Sequence, residues 1–252
     1  MGFEKLLYIT NSVEADAGVI RHIAGLRKLG LLEVILCHPT DGDQWKEQLG
    51  AIGLGTKTLT VEDPLIPGLL NAAHREGVSF ISSRIDEQTK GWFPKAYPKA
   101  LLQWSDVPVM AMPAIDGPVD TDGAGMFDHV ILAADWSESC RKAMRYLLGF
   151  KGFIRELEII HVVGKRLSIR EMRELRQMLS AWRSAFLDHA IDAEFHIYAG
   201  KCNEEILLAA KDYGGTCIVM GRPKNSSIKE ILRLSNTYRV AEASSVPTII
   251  VP

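Results

Sequence analysis

Asp135, Gly221, two histidines and the four cysteines are the residues of this chain whose types and places could do chemistry. Asp135 closes the apolar run 129–134, and Ser137 stands two residues on. A carboxylate there either holds a turn or offers an acceptor to a ligand. Gly221 closes the run 217–220, with Arg222 and Lys224 just beyond it. Lacking a Cβ, a glycine after a strand lets backbone N–H groups approach an anion, and a helix N-terminus or a hydroxyl adds donors. Lys224 and Arg222 serve equally well as solvated loop cations. His38 and His161 sit at matching strand ends, which points to a structural role. Cys37, Cys140, Cys202 and Cys217 form no C-x-x-C pair and no cluster with zinc spacing. No Ser-His-Asp or Cys-His arrangement has supporting context, so no catalytic residue and no metal ligand is assigned.

Elements must bring such residues together. In the first half, 6–10 reads as a buried strand, 15–29 as a helix stopped by Gly30, and 32–37 as a second strand. Residues 40–60 are glycine-rich and weakly periodic, so at most a short helix is expected. The pattern then gives a helix over 65–75, a strand over 78–82, a helix over 95–104 and a strand over 107–112. Residues 113–125 are rich in Gly, Pro and Asp and read as a linker. The second half repeats the order. Strands are expected at 129–134, 157–163, 193–198, 217–220 and 248–251. Helices are expected at 137–148, capped by Ser137 and stopped by Gly149, at 168–190, 203–211 and 229–244. Helices between strands imply parallel sheets, and continuous apolar runs imply cover on both faces.

Composition narrows the function classes. The chain has 252 residues, 47% hydrophobic and 24% charged, with a net charge of -2. That is enough for two cores and gives no basis for a nucleic-acid partner. The basic stretch 166–183 is interleaved with Glu171 and Glu174 and reads as a solvated helix face. The first apolar run is too short for a signal peptide, Leu6 stands where myristoylation needs Ser or Thr, and no run approaches a membrane span. Sparse, unclustered cysteine fits a reducing, cytoplasmic setting.

The halves also match each other in sequence. LLYITNS at 6–12 aligns with VILAADWS at 130–137, and LEVILCHP at 32–39 with LEIIHVV at 157–163. LLNAAHREGVSFIS at 69–82 aligns with LLAAKDYGGTCIVM at 207–220, and VPVMAMP at 107–113 with VPTIIVP at 246–252. The spacing from Ser82 to Pro108 equals that from Gly221 to Pro247. The first half has lost most of the long helix seen at 168–190.

The ordered set resembles the universal stress protein family as a tandem pair, and the second half carries the resemblance. Its pieces are the strand ending in Asp135 with Ser137 beyond, His161-Val162-Val163, Ala209-Ala210 before Val219-Met220-Gly221, then IKEILRLS and VPTIIVP. The resemblance implies two Rossmann-like α/β domains, each a mostly parallel five-stranded sheet flanked by helices. They are expected at 1–115 and 125–252, with a linker at 116–124. It also implies a stress-response regulator or adaptor in which ATP or AMP is an optional ligand; the alternative is a slow nucleotide hydrolase or another enzyme using the crevice at the carboxyl ends of the strands. The implied site is Asp135 for the adenine amino group and Val162 for backbone contacts. Met220, Gly221, Lys224, Ser235 and Asn236 complete it around the ribose and phosphates. The family's nucleotide-binding branch carries G-x2-G-x9-G-[ST]. Here Gly221 and Ser235 keep the ends of that motif, but Lys224 and Leu234 replace its other glycines. In the first half Asn11 replaces the aspartate, and Lys95 and Ala96 fall at the motif's end, so that half is expected to be empty. The partner expectations are an intramolecular pseudo-dimer through the closing strands, a further homodimer, an unidentified protein, and neither nucleic acid nor membrane.

Overall fold

The computed structural model describes residues 3–12, 14–38, 42–59, 66–84, 97–113, 125–222 and 228–252, and the backbone alone for 97 and 228–234. The chain divides into two compact units, Met1–Gly125 and Met126–Pro252. The expected linker, 116–124, lies outside the described residues.

The first unit runs β1 (Lys5–Ile9), α1 (Ala17–Leu26), β2 (Glu33–Cys37), α2 (Asp43–Ala51), β3 (Gly55–Leu59), α3 (Ile66–Glu76), β4 (Phe80–Arg84), α4 (Tyr97–Trp104) and β5 (Val109–Met112). The second runs β6 (His129–Ala133), α5 (Glu138–Leu148), β7 (Glu156–Val163), α6 (Ile169–Leu187), β8 (Asp192–Ala199), α7 (Cys202–Asp212), β9 (Cys217–Gly221), α8 (Ile228–Ala243) and β10 (Thr248–Val251). Strand order is β3-β2-β1-β4-β5 within the first unit and β8-β7-β6-β9-β10 within the second. Every one of these neighbours pairs in parallel. Each unit is therefore a doubly wound, Rossmann-like sheet whose order reverses beside its first strand. Leu132 shows why β6 is apolar beyond His129. It lies between Ile159 of β7 and Val219 of β9, with helices over both faces, and all three are fully buried.

The capping residues behave as their chemistry requires. The Ser137 hydroxyl accepts from the Cys140 N–H at 3.1 Å and starts α5. The Ser168 hydroxyl accepts from the Glu171 N–H at 3.2 Å, while the Glu171 carboxylate accepts from the Ser168 N–H at 2.8 Å. That reciprocal bond to backbone holds the Glu171 carboxyl down at about 2. Across the middle of the second sheet, Glu158 accepts from His129 Nε2 at 3.1 Å and His196 Nε2 at 2.7 Å, and the Tyr213 hydroxyl donates to His196 Nδ1 at 3.0 Å.

One expectation needs correction. Residues 40–60 hold a nine-residue helix, α2, and a full strand, β3, rather than at most a short helix. β3 pairs with β2 alone and reads Gly-Thr-Lys-Thr-Leu. A half-exposed edge strand needs few apolar residues, so its sequence lacks the run that marks an interior strand. The expected shortening is present: α2 spans nine residues where α6 spans nineteen. No helix among the described residues is long and apolar enough to cross a membrane.

Gly221 has a packing role. A Cβ there would run into the backbone of Ser139 and Cys140 in the first turn of α5. Backbone cannot rotate away as a side chain can. Gly221→Ala is expected to destabilise the second unit by about 1–3 kcal/mol, read as a lower urea midpoint at unchanged slope. Gly152→Ala, where a Cβ meets open space, should stay within about 0.5 kcal/mol of the parent.

Candidate functional site

The carboxyl ends of β6, β7 and β9 enclose a cavity of about 300 Å³ in the second unit. It lies where the strand order reverses, because the loops leaving β6 and β9 there diverge. Ala133 and Ala134 form its β6 side, Ile160, His161 and Val162 its β7 side, and Met220 and Gly221 its β9 side. Cys202 and Ile206 of α7 and Asn236 and Thr237 of α8 complete it, with Asp135 in the loop.

Local chemistry sets each group in place. Pairing outlasts β6 by one bond, since the Ala134 N–H donates to the Ile160 carbonyl at 2.8 Å. The His161 ring then donates from Nδ1 to the Ala134 carbonyl at 2.7 Å. A carbonyl can only accept, so that nitrogen carries the proton. One oxygen of Asp135 accepts from both the backbone N–H (3.0 Å) and the hydroxyl (2.5 Å) of Ser137. Asp135 is thus a turn carboxylate and a cavity wall at once. Trp136 between them has a left-handed φ of 63°. Its indole is wedged against the His161 ring at 5.6 Å and edge-on to Trp182 of α6 at 5.0 Å.

Of the site residues expected from sequence, Asp135, Val162, Met220, Gly221 and Asn236 line this one cavity. Ser235, half-buried on α8, is not among the lining residues. Lys224 lies outside the described residues, as does the side chain of Leu234. Cys202, Ile206 and Thr237 line the cavity without having been expected there. They lie on α7 and α8, whose facing depends on packing, and no sequence pattern marks them. His161 had been noted only as structural, and its bond to Ala134 fits that role while its ring also lines the cavity. Among the described residues no group of three or more His, Cys, Asp or Glu is placed to hold a metal ion.

The corresponding end of the first unit is built differently. Ile9 stands where Ala133 lines the cavity, and Ser83, buried, and Arg84 stand where Met220 and Gly221 do. The His38 ring and the Trp45 indole N–H both donate to the Ser12 carbonyl, each at 2.9 Å. Trp45 is fully buried and packs on Tyr8 at 5.1 Å. At the end of β4, Arg84 is ion-paired with Asp16 at 2.7 Å, and Asp16 also caps α1.

Residues 126–252 match the family model of the universal stress protein family. A universal stress protein from Archaeoglobus fulgidus DSM 4304 aligns over 99% of this chain and 97% of its own, with a TM-score of 0.70 at 20% identity. A structure from Pseudomonas aeruginosa UCBPP-PA14 aligns over 99% and 93%, with a TM-score of 0.66 at 14% identity. At such identities these two show the fold, over both units. The universal stress protein from Archaeoglobus fulgidus in complex with dAMP aligns over 50% of this chain and 99% of its own at 17% identity; its TM-score of 0.41 is too low to place a ligand here. No curated protein matches the sequence. With the family model covering half of the chain, and the tandem α/β fold shared with whole-chain neighbours, the chain belongs to the universal stress protein family.

Proposed function

We propose that this chain is a cytoplasmic stress-response regulator or adaptor whose second unit binds an adenine nucleotide weakly and whose first unit binds none. The observation that carries the reading is the cavity at the carboxyl ends of β6, β7 and β9. There Asp135, the strand backbone at Val162, and Asn236 converge on a volume of about 300 Å³. Small-molecule sites run from about 300 to 1,000 Å³, so the enclosed space suits a base and sugar better than a whole triphosphate. Gly221 is already used against α5, and Leu234 stands at a glycine position of the family motif. Phosphates should therefore add little, and AMP should bind about as well as ATP. In the first unit, Ile9, Trp45 and the Arg84–Asp16 pair take the places where an open crevice would need small or unpaired groups. All four cysteines are free thiols, as a reducing compartment favours. The boundaries 1–115 and 125–252 and a pseudo-two-fold pairing through β5 and β10 belong to the same proposal. Each of those strands ends its own unit's order. Residues 125–252 expressed alone should keep nucleotide binding and sediment as a dimer; a binding-competent monomer would leave the site but remove the pairing.

Calorimetric titration tests the site. Asp135→Asn preserves an acceptor for Ser137 and replaces the other oxygen by a donor that repels an adenine amino group. It should weaken AMP at least tenfold, about 1.4 kcal/mol, with unchanged thermal stability. Leu234→Gly should tighten ATP more than AMP. Turnover of ATP by the wild type, lost in Asp135→Asn, would instead favour the hydrolase.

Cys202 gives an independent readout. Cys37, Cys140 and Cys217 are buried, and burial pushes the thiols of Cys37 and Cys140 up to about 12. Cys202 is half-buried and lines the cavity. N-ethylmaleimide at pH 7.5 should modify Cys202 first, and saturating AMP should slow that reaction severalfold. If AMP leaves the rate unchanged, the nucleotide is not in this cavity.

A further inference from the structure

α6 buries Leu175, Leu179 and Phe186 and leaves its far side along an open groove of about 730 Å³ beside β8. Ile169, Met172 and Phe195 supply apolar surface, and Arg173 and Arg176 supply charge. Ile169 is 83% exposed. Three neighbouring cations are matched: Lys165 with Glu171 at 3.1 Å, Arg170 with Glu174 at 2.9 Å, and Arg183 with Glu194 at 2.8 Å. Arg173 and Arg176 make no ion pair with any described residue.

β8 is the last strand of its unit's order and pairs with β7 alone. The N–H groups of Asp192 and Gly200 donate back to the Arg155 and Val163 carbonyls, both at 3.2 Å. Successive residues point their backbone groups to opposite sides of a strand, so the odd-numbered residues of β8 face outward. The outward carbonyl of Ala193 is taken by Arg183 Nε at 2.9 Å. Phe195 and Ile197 come next along that open edge. The matching edge in the first unit, β3, is protected: its Lys57 pairs with Glu76 at 2.6 Å, and a lysine on an edge strand discourages pairing. β8 has Glu194, paired with Arg183, at the place of Lys57, and runs on as Phe-His-Ile-Tyr beyond it, where β3 ends in Thr-Leu.

We propose that β8 and the α6 groove form a docking surface for an extended acidic segment of a partner protein, which adds to β8 as a further strand and lays its carboxylates against Arg173 and Arg176. Strand addition gives affinity through main-chain bonds and specificity through alternate side chains. Arginine, methionine and aromatic residues are the types enriched at interface cores. A second copy of the chain would set these arginines against their own equivalents across a two-fold axis, and a nucleic acid has no peptide edge to offer β8. The proposal is independent of the nucleotide site.

The test uses the full chain and a fluorescein-labelled ten-residue peptide in which Val, Asp, Ile, Glu and Val alternate with Ser and Thr. Saturable anisotropy is expected, at least tenfold weaker for a version with Lys in place of the acids and for one N-methylated at alternate backbone positions. Arg173→Glu with Arg176→Glu, both on exposed side chains, should weaken it by the same factor at unchanged thermal stability. Hydrogen exchange should show new protection at the amides of Phe195 and Ile197. The proposal is overturned if no peptide binds, if the acidic and lysine peptides bind alike, or if β8 gains no protection. It also fails if an oligonucleotide of equal charge displaces the peptide with the same arginine dependence. A concentration-dependent dimer abolished by the double variant would make the occupant a second copy and overturn it too.

Discussion

The carboxyl end of the second unit depends on the turn between β6 and α5. β6 has a parallel neighbour on each side, so its chain must leave the sheet abruptly and start a helix within four residues. A hydroxyl has one proton and two lone pairs, and Ser137 uses all three. It donates to Asp135, accepts from the Cys140 N–H, and accepts from the Ser139 hydroxyl at 2.9 Å. The left-handed Trp136 costs about 1–3 kcal/mol. It persists because its ring is held by His161 and Trp182 while His161 fastens the Ala134 carbonyl. Gly221 then closes against the same first turn of α5. Moving any of these members moves the cavity wall, so the cavity and the fold share one set of bonds.

The two units solve the same turn with different chemistry. In the first, a tryptophan from α2 and a fully buried histidine converge on one carbonyl, Ser12, and the turn is filled from below by Tyr8 and Ile9. In the second, small residues, Ala133 and Ala134, leave space that the aromatic clamp of Trp136 borders from outside. In the first, Asn11 Oδ1 at the place of Asp135 stays buried without a hydrogen-bond partner among the described residues; in the second, Asp135 accepts twice from Ser137. Among the described residues, the second leaves a concave surface at this turn with Asp135 on it.

How much of this was legible depended on whether the signal was local. The interior strands were readable because burial on both faces demands unbroken apolar runs such as Val130–Leu132. Ser137 and Ser168 were readable because a cap needs a side-chain oxygen at one position. β3 was not, since a polar edge strand has no such demand. Five positions around the cavity, Asp135, Val162, Met220, Gly221 and Asn236, followed from the resemblance to the family. Cys202, Ile206 and Thr237 did not, because which side of a helix faces a cavity is fixed by how α7 and α8 pack. Gly221 shows the same limit from the other side. A phosphate cradle and a close approach of strand to helix both call for glycine, and only the positions of Ser139 and Cys140 reveal the second need.

α6 connects the features that distinguish the second unit. Its capping box fixes where it starts, Arg183 ties it to the edge strand through Ala193 and Glu194, and Trp182 reaches the wedge that holds the β6 turn. A nine-residue α2 in the first unit can cover its edge strand but has no length left for a second contact face. The length kept by this one crossover helix therefore did two things by geometry alone. It supplied the outer ring of the aromatic clamp beside the cavity, and it created an overhang along β8. Because Trp136 touches both His161 in the cavity wall and Trp182 on α6, the two surfaces meet through a single indole, which is the shortest physical route by which occupancy of one could bias the other.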